Sequence, residues 1–435
     1  MHSVREIAEK MDELLPPRTL RGLLALHRWV DATGVPSLRE IMDRHHGSVS
    51  KKMLFYNTYL LPGVEYSIGK LGDAFLPDIE PAPIGAIPEI DSRREEIARA
   101  IQREEYDIAA LCEVFRESEQ QALRRPWPDG SLTTVAGPAE LIDIEVPIPP
   151  MLWDTIRHTL QHLPVAGSFL KPFANLLGPF GHLLRPTLKG TTQSSGLFLM
   201  GRDIPFTSAA THVFESKGEA TKDADFWASK GVLRVVIPFS GGNIELYCTH
   251  IHSGGSLLDE TLTEEDRDRV KTDQYRELRE FIQAHKQPEH IAILVGDFNR
   301  DGFNLEEPRY QALVEEMERV NLYDLWPQRG FDADGNVLPG ATYMGDDESY
   351  VYREHGETIC TLDGHRCNDL IPQRDPNRSR LDYIFVERPS EAHSLNLDFT
   401  RPRRVNFTRE GSGGEMFYLS DHLGLETTLI VSRKI

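Results

Sequence analysis

The chain has 435 residues, 40% of them hydrophobic and 27% charged, with a formal net charge of −20. That length suits one large domain or two ordinary ones, and the composition is that of a soluble protein able to bury a sizeable core. The acidic total disfavours tight nonspecific binding to a nucleic-acid backbone, although a local basic channel can hide inside it. The four cysteines, Cys112, Cys248, Cys360 and Cys367, do not form a dense disulfide framework. Cys360 and Cys367 lie near His355 and His365 but lack the usual two-residue gaps of a zinc site, so free loop thiols are the default. No run approaches ~18 consecutive apolar residues. The stretch from Met1 to Lys10 has no apolar signal core, and the expected compartment is the cytoplasm.

In chain order, residues 1–48 read as a helical extension. Val4, Ile7, Ala8, Met11, Leu14 and Leu15 keep helical spacing until Pro16-Pro17. A second helix carries Leu20, Leu23, Leu24, His27 and Val30, and Ser37-Leu-Arg-Glu40 is a capping box for a third. The extension shows no catalytic pattern and suits packing or oligomer contacts. The character changes at Met53-Leu-Phe-Tyr-Asn57, a short strand ending in a polar residue. A helix over Ser92–Ile101 and a buried strand over Ile108–Leu111 follow. Val232–Phe239 and Ile244–Thr249 flank Ser240-Gly-Gly-Asn243, a hairpin signal. Thr263–His285 is a charged amphipathic helix leading into the buried strand Ile291–Val295. Tyr383–Val386 and Leu423–Val431 are the last strands. Mixed strands and helices put the fold in the α/β or α+β class. Two stretches read as insertions. Residues 151–190 are aromatic, apolar and locally basic, and residues 328–378 are mostly loop.

The polar residues that carry chemistry cluster at the ends of these strands. A buried strand delivers Asp297 and Asn299 to one side, because strand side chains alternate with period two. A carboxylate and an amide aimed at one point can orient an attacking water; the bland alternative is a turn. An EF-hand reading of Asp297-x-Asn299-x-Asp301-Gly302 fails, since the twelfth position is Pro308 and a strand precedes the loop. Glu113, after an apolar strand, is a candidate hard ligand for Mg²⁺, and Asn57 ends a similar strand. His250 and His252 follow a third strand and could donate to a charged phosphate oxygen. Asp421-His422 pairs a metal-site carboxylate with a general base. Asp382, after Arg380-Leu381, is the best partner to hold the tautomer of His422.

In order, these signals are Asn, Glu, Thr-His, Gly-Asp-Phe-Asn, Leu-Asp-Tyr and Ser-Asp-His. The series resembles the endonuclease/exonuclease/phosphatase superfamily, the DNase I-like fold, over residues 49–435. The resemblance implies a four-layer α/β/β/α sandwich of two packed mixed sheets and a metal-dependent phosphoesterase site using Mg²⁺, with Mn²⁺ as the alternative ion. It implies that Glu113 binds the metal with Asn57 and Asp421 close by. Asp297 and Asn299 would orient the nucleophile, His250 would stabilise developing charge, and His422, held by Asp382, would act as general base. Cys112 departs from the Gln usual before the metal-binding Glu, which bears on how the ligand is oriented rather than on the ligand itself.

Among subfamilies, Tyr56-Asn-Thr-Tyr-Leu-Leu-Pro62, the helix at Arg93–Ile101 and Leu111-Cys-Glu-Val-Phe115 look most like the neutral sphingomyelinase branch, which cleaves sphingomyelin to ceramide and phosphocholine. A phospholipid at a membrane surface is therefore the expected substrate, and segment 151–190 could lie at that surface or pack on the protein itself. A DNase I-like nuclease acting on nucleic acid, an inositol-phosphate phosphatase and an inactive binding scaffold are the other readings. The nuclease lacks an obvious basic cluster with interleaved aromatics, and the phosphatase has only Arg366, Arg374, Arg378 and Arg380 to offer further phosphates. The sequence leaves the oligomeric state open.

Overall fold

The computed structural model describes residues 48–60, 90–128, 130–142, 146–147, 187–188, 191–219, 223–254, 263–329, 340–343, 351–352, 379–410 and 416–434. The expected N-terminal helices, most of segments 151–190 and 328–378, and the Cys360–Cys367 region lie outside these residues.

The main elements in chain order are β1 (Val49–Leu60), α1 (Ile90–Arg103), β2 (Ile108–Val114), α2 (Glu117–Arg124), β3 (Leu132–Ala136), β4 (Phe198–Arg202), β5 (Ser208–Val213), β6 (Gly231–Phe239), β7 (Gly242–His250), α3 (Glu264–His285), β8 (Ile291–Asp297), α4 (Pro308–Glu318), β9 (Leu322–Asp324), β10 (Asp382–Glu387), β11 (Leu395–Phe399), β12 (Arg403–Val405) and β13 (Gly424–Arg433). One sheet of seven strands runs β11-β13-β1-β2-β4-β3, with β12 also on β13. A second, of six strands, runs β9-β10-β8-β7-β6-β5. Both are mixed. β1 and β2 are parallel, as are β7 and β8, and the neighbouring pairs are antiparallel.

The layering follows from strand alternation. On β1, Met53 and Phe55 turn inward with Ile108 and Ala110 of β2, meeting Val235, Leu246, Ile293 and Ile384 of the second sheet in one core. Leu54 and Tyr56 point the other way, onto Ile97, Ala98 and Ile101 of α1. On the outer face of the second sheet, Tyr247, Leu294 and Phe385 pack against Tyr275, Leu278 and Ile282 of α3 and Leu313 and Met317 of α4. Because both faces of each central strand are covered, β2 and β8 are buried along their whole length, as expected for near-continuous apolar runs. Helix α3 starts where the Thr263 hydroxyl accepts the Asp266 N–H at 3.1 Å. Glu264, Glu265 and Asp266 in its first turn complement the helix dipole. The β6–β7 hairpin turns at Gly241, whose φ of +103° favours glycine. Among the described residues, no helix is long and apolar enough to cross a membrane.

Candidate active site

The two parallel pairs, β1–β2 and β7–β8, set the site. Parallel neighbours end at the same edge of a sheet, so the residues at the C-terminal ends of these four strands converge. The registers pair Asn57 with Cys112 and His250 with Asp297, while antiparallel β10 brings Asp382 opposite Asp297. Across the sandwich, the Asn57 amide nitrogen donates to Glu113 Oε1 and to Asp297 Oδ2, each at 3.0 Å. One amide therefore joins both sheets. Its oxygen accepts the Tyr59 N–H at 3.0 Å, so the nitrogen rather than the oxygen faces the two carboxylates.

Two of the site residues sit in left-handed backbone, Glu113 at φ +62° and Asn299 at φ +47°. Such conformations are strained for residues other than glycine, at roughly 1–3 kcal/mol each, and persist where the surroundings fix them. At Glu113 the fixing contact is backbone: the Val114 N–H donates to Gly196 O at 2.8 Å. Gly196 lies so close that a Cβ there would meet Phe115 at 2.9 Å and Glu113 Cα at 3.1 Å. Asn299 is held by its side chain, which donates to Ile251 O at 2.9 Å, and its N–H donates to Asp297 Oδ1 at 2.9 Å.

His422 follows the same logic of fixed partners. Its Nδ1 lies 2.8 Å from Asp382 Oδ2 and its Nε2 lies 3.7 Å from Asp297 Oδ2. Ser420 Oγ donates to Asn57 O at 2.7 Å, lies 3.2 Å from Asp421 Oδ1 and accepts the His422 N–H at 3.1 Å. Burial opposes charging the imidazole, but Asp382, Asp421 and Asp297 together outweigh it and hold its pKa well above the usual value. Burial likewise opposes the charge on Asp297, yet His422, His250 and Lys230 keep its carboxyl below the ordinary range.

His250 behaves in the opposite way. Burial, reinforced by the Lys230 ammonium, pushes its pKa down to about 3. Lys230 Nζ lies 2.7 Å from His250 Nε2, 3.2 Å from Ile251 O and 3.1 Å from Asp225 Oδ1. The neutral ring accepts through Nε2, and the fixed cation at this point is Lys230. The sequence reading omitted this lysine. Its signal was available in the hairpin register: Val232 pairs with Thr249, so a residue two positions before Val232 falls beside the chain just after His250. Asp225, also omitted, is held by N–H donors from Ser253 and Gly254. His252 does not join this group. It pairs with Asp223 through Nε2, while its N–H donates to Gln274 Oε1 at 2.8 Å.

A divalent cation fits one corner of this edge. Glu113 Oε2 is buried and has no hydrogen-bond partner among the described residues. Burial and the nearby Asp421 push the Glu113 pKa up to about 7. Buried, crowded carboxylate oxygens lacking donors are what a hard, oxygen-seeking ion such as Mg²⁺ requires. Asp297, Asp382 and His422 form a second group whose ligand atoms all lie within 4.8 Å of one another. There His422 Nδ1 takes Asp382 Oδ2, while Asp382 Oδ1, like Glu113 Oε2, is buried without a hydrogen-bond partner among the described residues. A third, Asp223, Asp225 and His252, already has Lys230 as its cation.

The model of the endonuclease/exonuclease/phosphatase family matches residues 89–422, a span that includes Glu113, His250, Asp297, Asp382 and His422. The chain belongs to this family. Comparison with the curated proteins gives no match. Among solved structures, the chain of this family member is similar to a sphingomyelinase C from Streptomyces griseocarneus, with 16% identity, 87% of this chain and 99% of that one covered, and a TM-score of 0.44. It is similar to a beta toxin from Staphylococcus aureus solved with bound magnesium ions, at 13% identity, 89% and 100% coverage and a TM-score of 0.47. It is also similar to D. rerio TDP2 complexed with a single-strand DNA product, at 14% identity, 87% and 98% coverage and a TM-score of 0.43. At this level of likeness no substrate transfers to this family member.

Proposed function

We propose that the chain is a Mg²⁺-dependent phosphodiesterase and that its substrate is a sphingomyelin-type phospholipid. The observation that carries the hydrolase reading is the single amide of Asn57 joining Glu113 to Asp297, with the Asp382–His422 pair beside them. The lipid reading rests on the sequence around Tyr56–Pro62, Arg93–Ile101 and Leu111–Phe115, and on the aromatic, basic segment 151–190. The net charge of −20 weighs against a polyanionic substrate.

In this reading Glu113, with Asp421 and Asn57 beside it, would hold the metal. When bound there, the ion would supply Lewis acidity toward a phosphoryl oxygen. Asp297 and Asn299 orient the attacking water. Lys230, rather than neutral His250, provides the fixed positive charge for the phosphate oxygens. Asp382 holds the Nδ1–H of His422, and the proton taken from water moves at Nε2. The three acids around His422 favour its protonated form, so the base form is the minor one in the metal-free protein.

The test is a parallel assay of purified protein on sphingomyelin vesicles and on plasmid DNA, each with Mg²⁺, with chelator and with His422→Ala. Phosphocholine release that needs both the metal and His422 is expected. Nicked plasmid with untouched lipid would assign the site to nuclease chemistry instead.

A further inference from the structure

The antiparallel pairing of β1 with β13 ends at Phe55 opposite Leu425, and the pairing of β1 with β2 is irregular between Asn57 and Leu60. Beyond these points no ladder joins the end of β1 to the segment Leu419–His422. Yet these two stretches carry Asn57 and Asp421. Two side chains bridge them instead. One is Ser420, whose hydroxyl donates to Asn57 O at 2.7 Å. The other is Arg93 from α1.

Arg93 is buried at 4% exposure. Its Nε donates to Leu419 O at 3.1 Å and its Nη2 to the same oxygen at 2.5 Å. Nη2 also donates to Thr58 O at 3.1 Å, and Nη1 to Tyr59 O at 3.0 Å. One planar fork thus grips the carbonyls just after Asn57 and the carbonyl two residues before Asp421. A buried guanidinium is costly unless its donors are used, and here they are used on backbone of both stretches. Only arginine has the reach and the fixed geometry to span them, because a lysine offers a single point of charge. The anchor is a helix packed on the far side of the sheet from the sandwich core.

We infer that Arg93 is a positioning residue for the metal corner: it clamps the strand ends carrying Asn57 and Asp421 and so fixes their distance from Glu113. The inference rests on the proposed assignment of that corner to a divalent cation. Partners that orient metal ligands typically cost 10–100-fold in metal affinity when removed. Loss of the clamp falls on metal binding itself, before any substrate is present.

The experiment measures Mn²⁺ binding by electron paramagnetic resonance, without substrate, in the wild-type chain, Arg93→Lys, Arg93→Gln and Arg234→Gln. Arg234 is the control, a buried cation bonded to Glu245 at 2.8 Å on the outer side of the second sheet; its loss should lower stability and leave metal affinity alone. Both Arg93 variants are expected to raise the Mn²⁺ Kd about tenfold or more, with Arg93→Lys retaining a cooperative thermal transition if Arg93→Gln does not. A folded Arg93→Lys that binds Mn²⁺ like wild type would overturn the inference, as would an equal loss in Arg234→Gln. Wild type that binds no Mn²⁺ would remove the metal corner, and this inference with it.

Discussion

Two buried glutamates of this molecule have opposite fates. Glu245, on the outer face of the second sheet, accepts from Arg234 Nε at 2.8 Å and Tyr247 Oη at 2.6 Å through one oxygen. Its other oxygen takes the Gln287 N–H at 3.0 Å and meets His290 Nδ1 at 2.8 Å. Burial alone would raise its pKa, but these donors pull it down to about 2. Glu113 has one donor, Asn57, on one oxygen and none among the described residues on the other, and its pKa is pushed up to about 7. Desolvation is common to both; the supply of donors decides the sign. A saturated buried carboxylate belongs to the fold. An unsaturated one, beside a second acid, holds capacity for a ligand.

The proposed chemistry can be tested most sharply through His422 and Lys230. His422→Ala should lower metal-dependent phosphodiesterase turnover by about 10²–10⁴-fold, the usual scale for general acid–base catalysis, with the thermal transition retained; steady-state rates check this. Lys230→Met should lower turnover by about 10²-fold, the scale for removing one preorganised charge-stabilising donor. The loss should appear in kcat more than in KM, because the charge it meets develops in the transition state.

The stability effects at the two glutamates should differ in sign. Glu245→Gln should destabilise the fold by about 3–5 kcal/mol, because Arg234 is left buried without its counter-charge; chemical denaturation measures it. Glu113→Gln removes an undersupplied buried carboxylate and should leave the metal-free protein as stable as wild type or more so. A pH series sharpens the first of these. The folded pKa of Glu245 is depressed, so its contribution is fully present above the unfolded carboxylate value. It fades as pH falls toward about 2. The stability gap between wild type and Glu245→Gln should therefore shrink as pH is lowered from 6 toward the acid limit of the folded state, and a gap that widened would contradict the assignment.

Much of this molecule was legible in its sequence, for a definable reason. Met53–Asn57, Ile108–Leu111, Ile291–Val295, Tyr383–Val386 and Leu423–Val431 are apolar runs with polar residues at their ends; the first four lie within strands of the structure, and the last does from Gly424 onward. The hairpin turn at Ser240–Asn243 joins β6 and β7 as its glycines require. Four of these five strands run two or three residues past the C-terminal end of the apolar run, because ladder hydrogen bonds continue where hydrophobicity stops. The residues that escaped are those whose place depends on packing between elements. Lys230 precedes its strand and gains meaning only through hairpin register. Arg93 looks like one more cation on a charged helix, and its contacts lie 326 residues away in sequence at Leu419. The opposite shifts of His250 and His422 were equally out of reach. Both are buried histidines at strand ends, and they differ in whether a lysine or a ring of acids surrounds them.

The most direct measurement is calorimetric titration of Mg²⁺ or Mn²⁺ into wild type, Glu113→Gln and Glu245→Gln under conditions where all three are folded. Saturable binding in wild type and Glu245→Gln that vanishes in Glu113→Gln is the expected result. Binding that survives in Glu113→Gln would contradict the claim that the undersupplied carboxylate marks the site of chemistry.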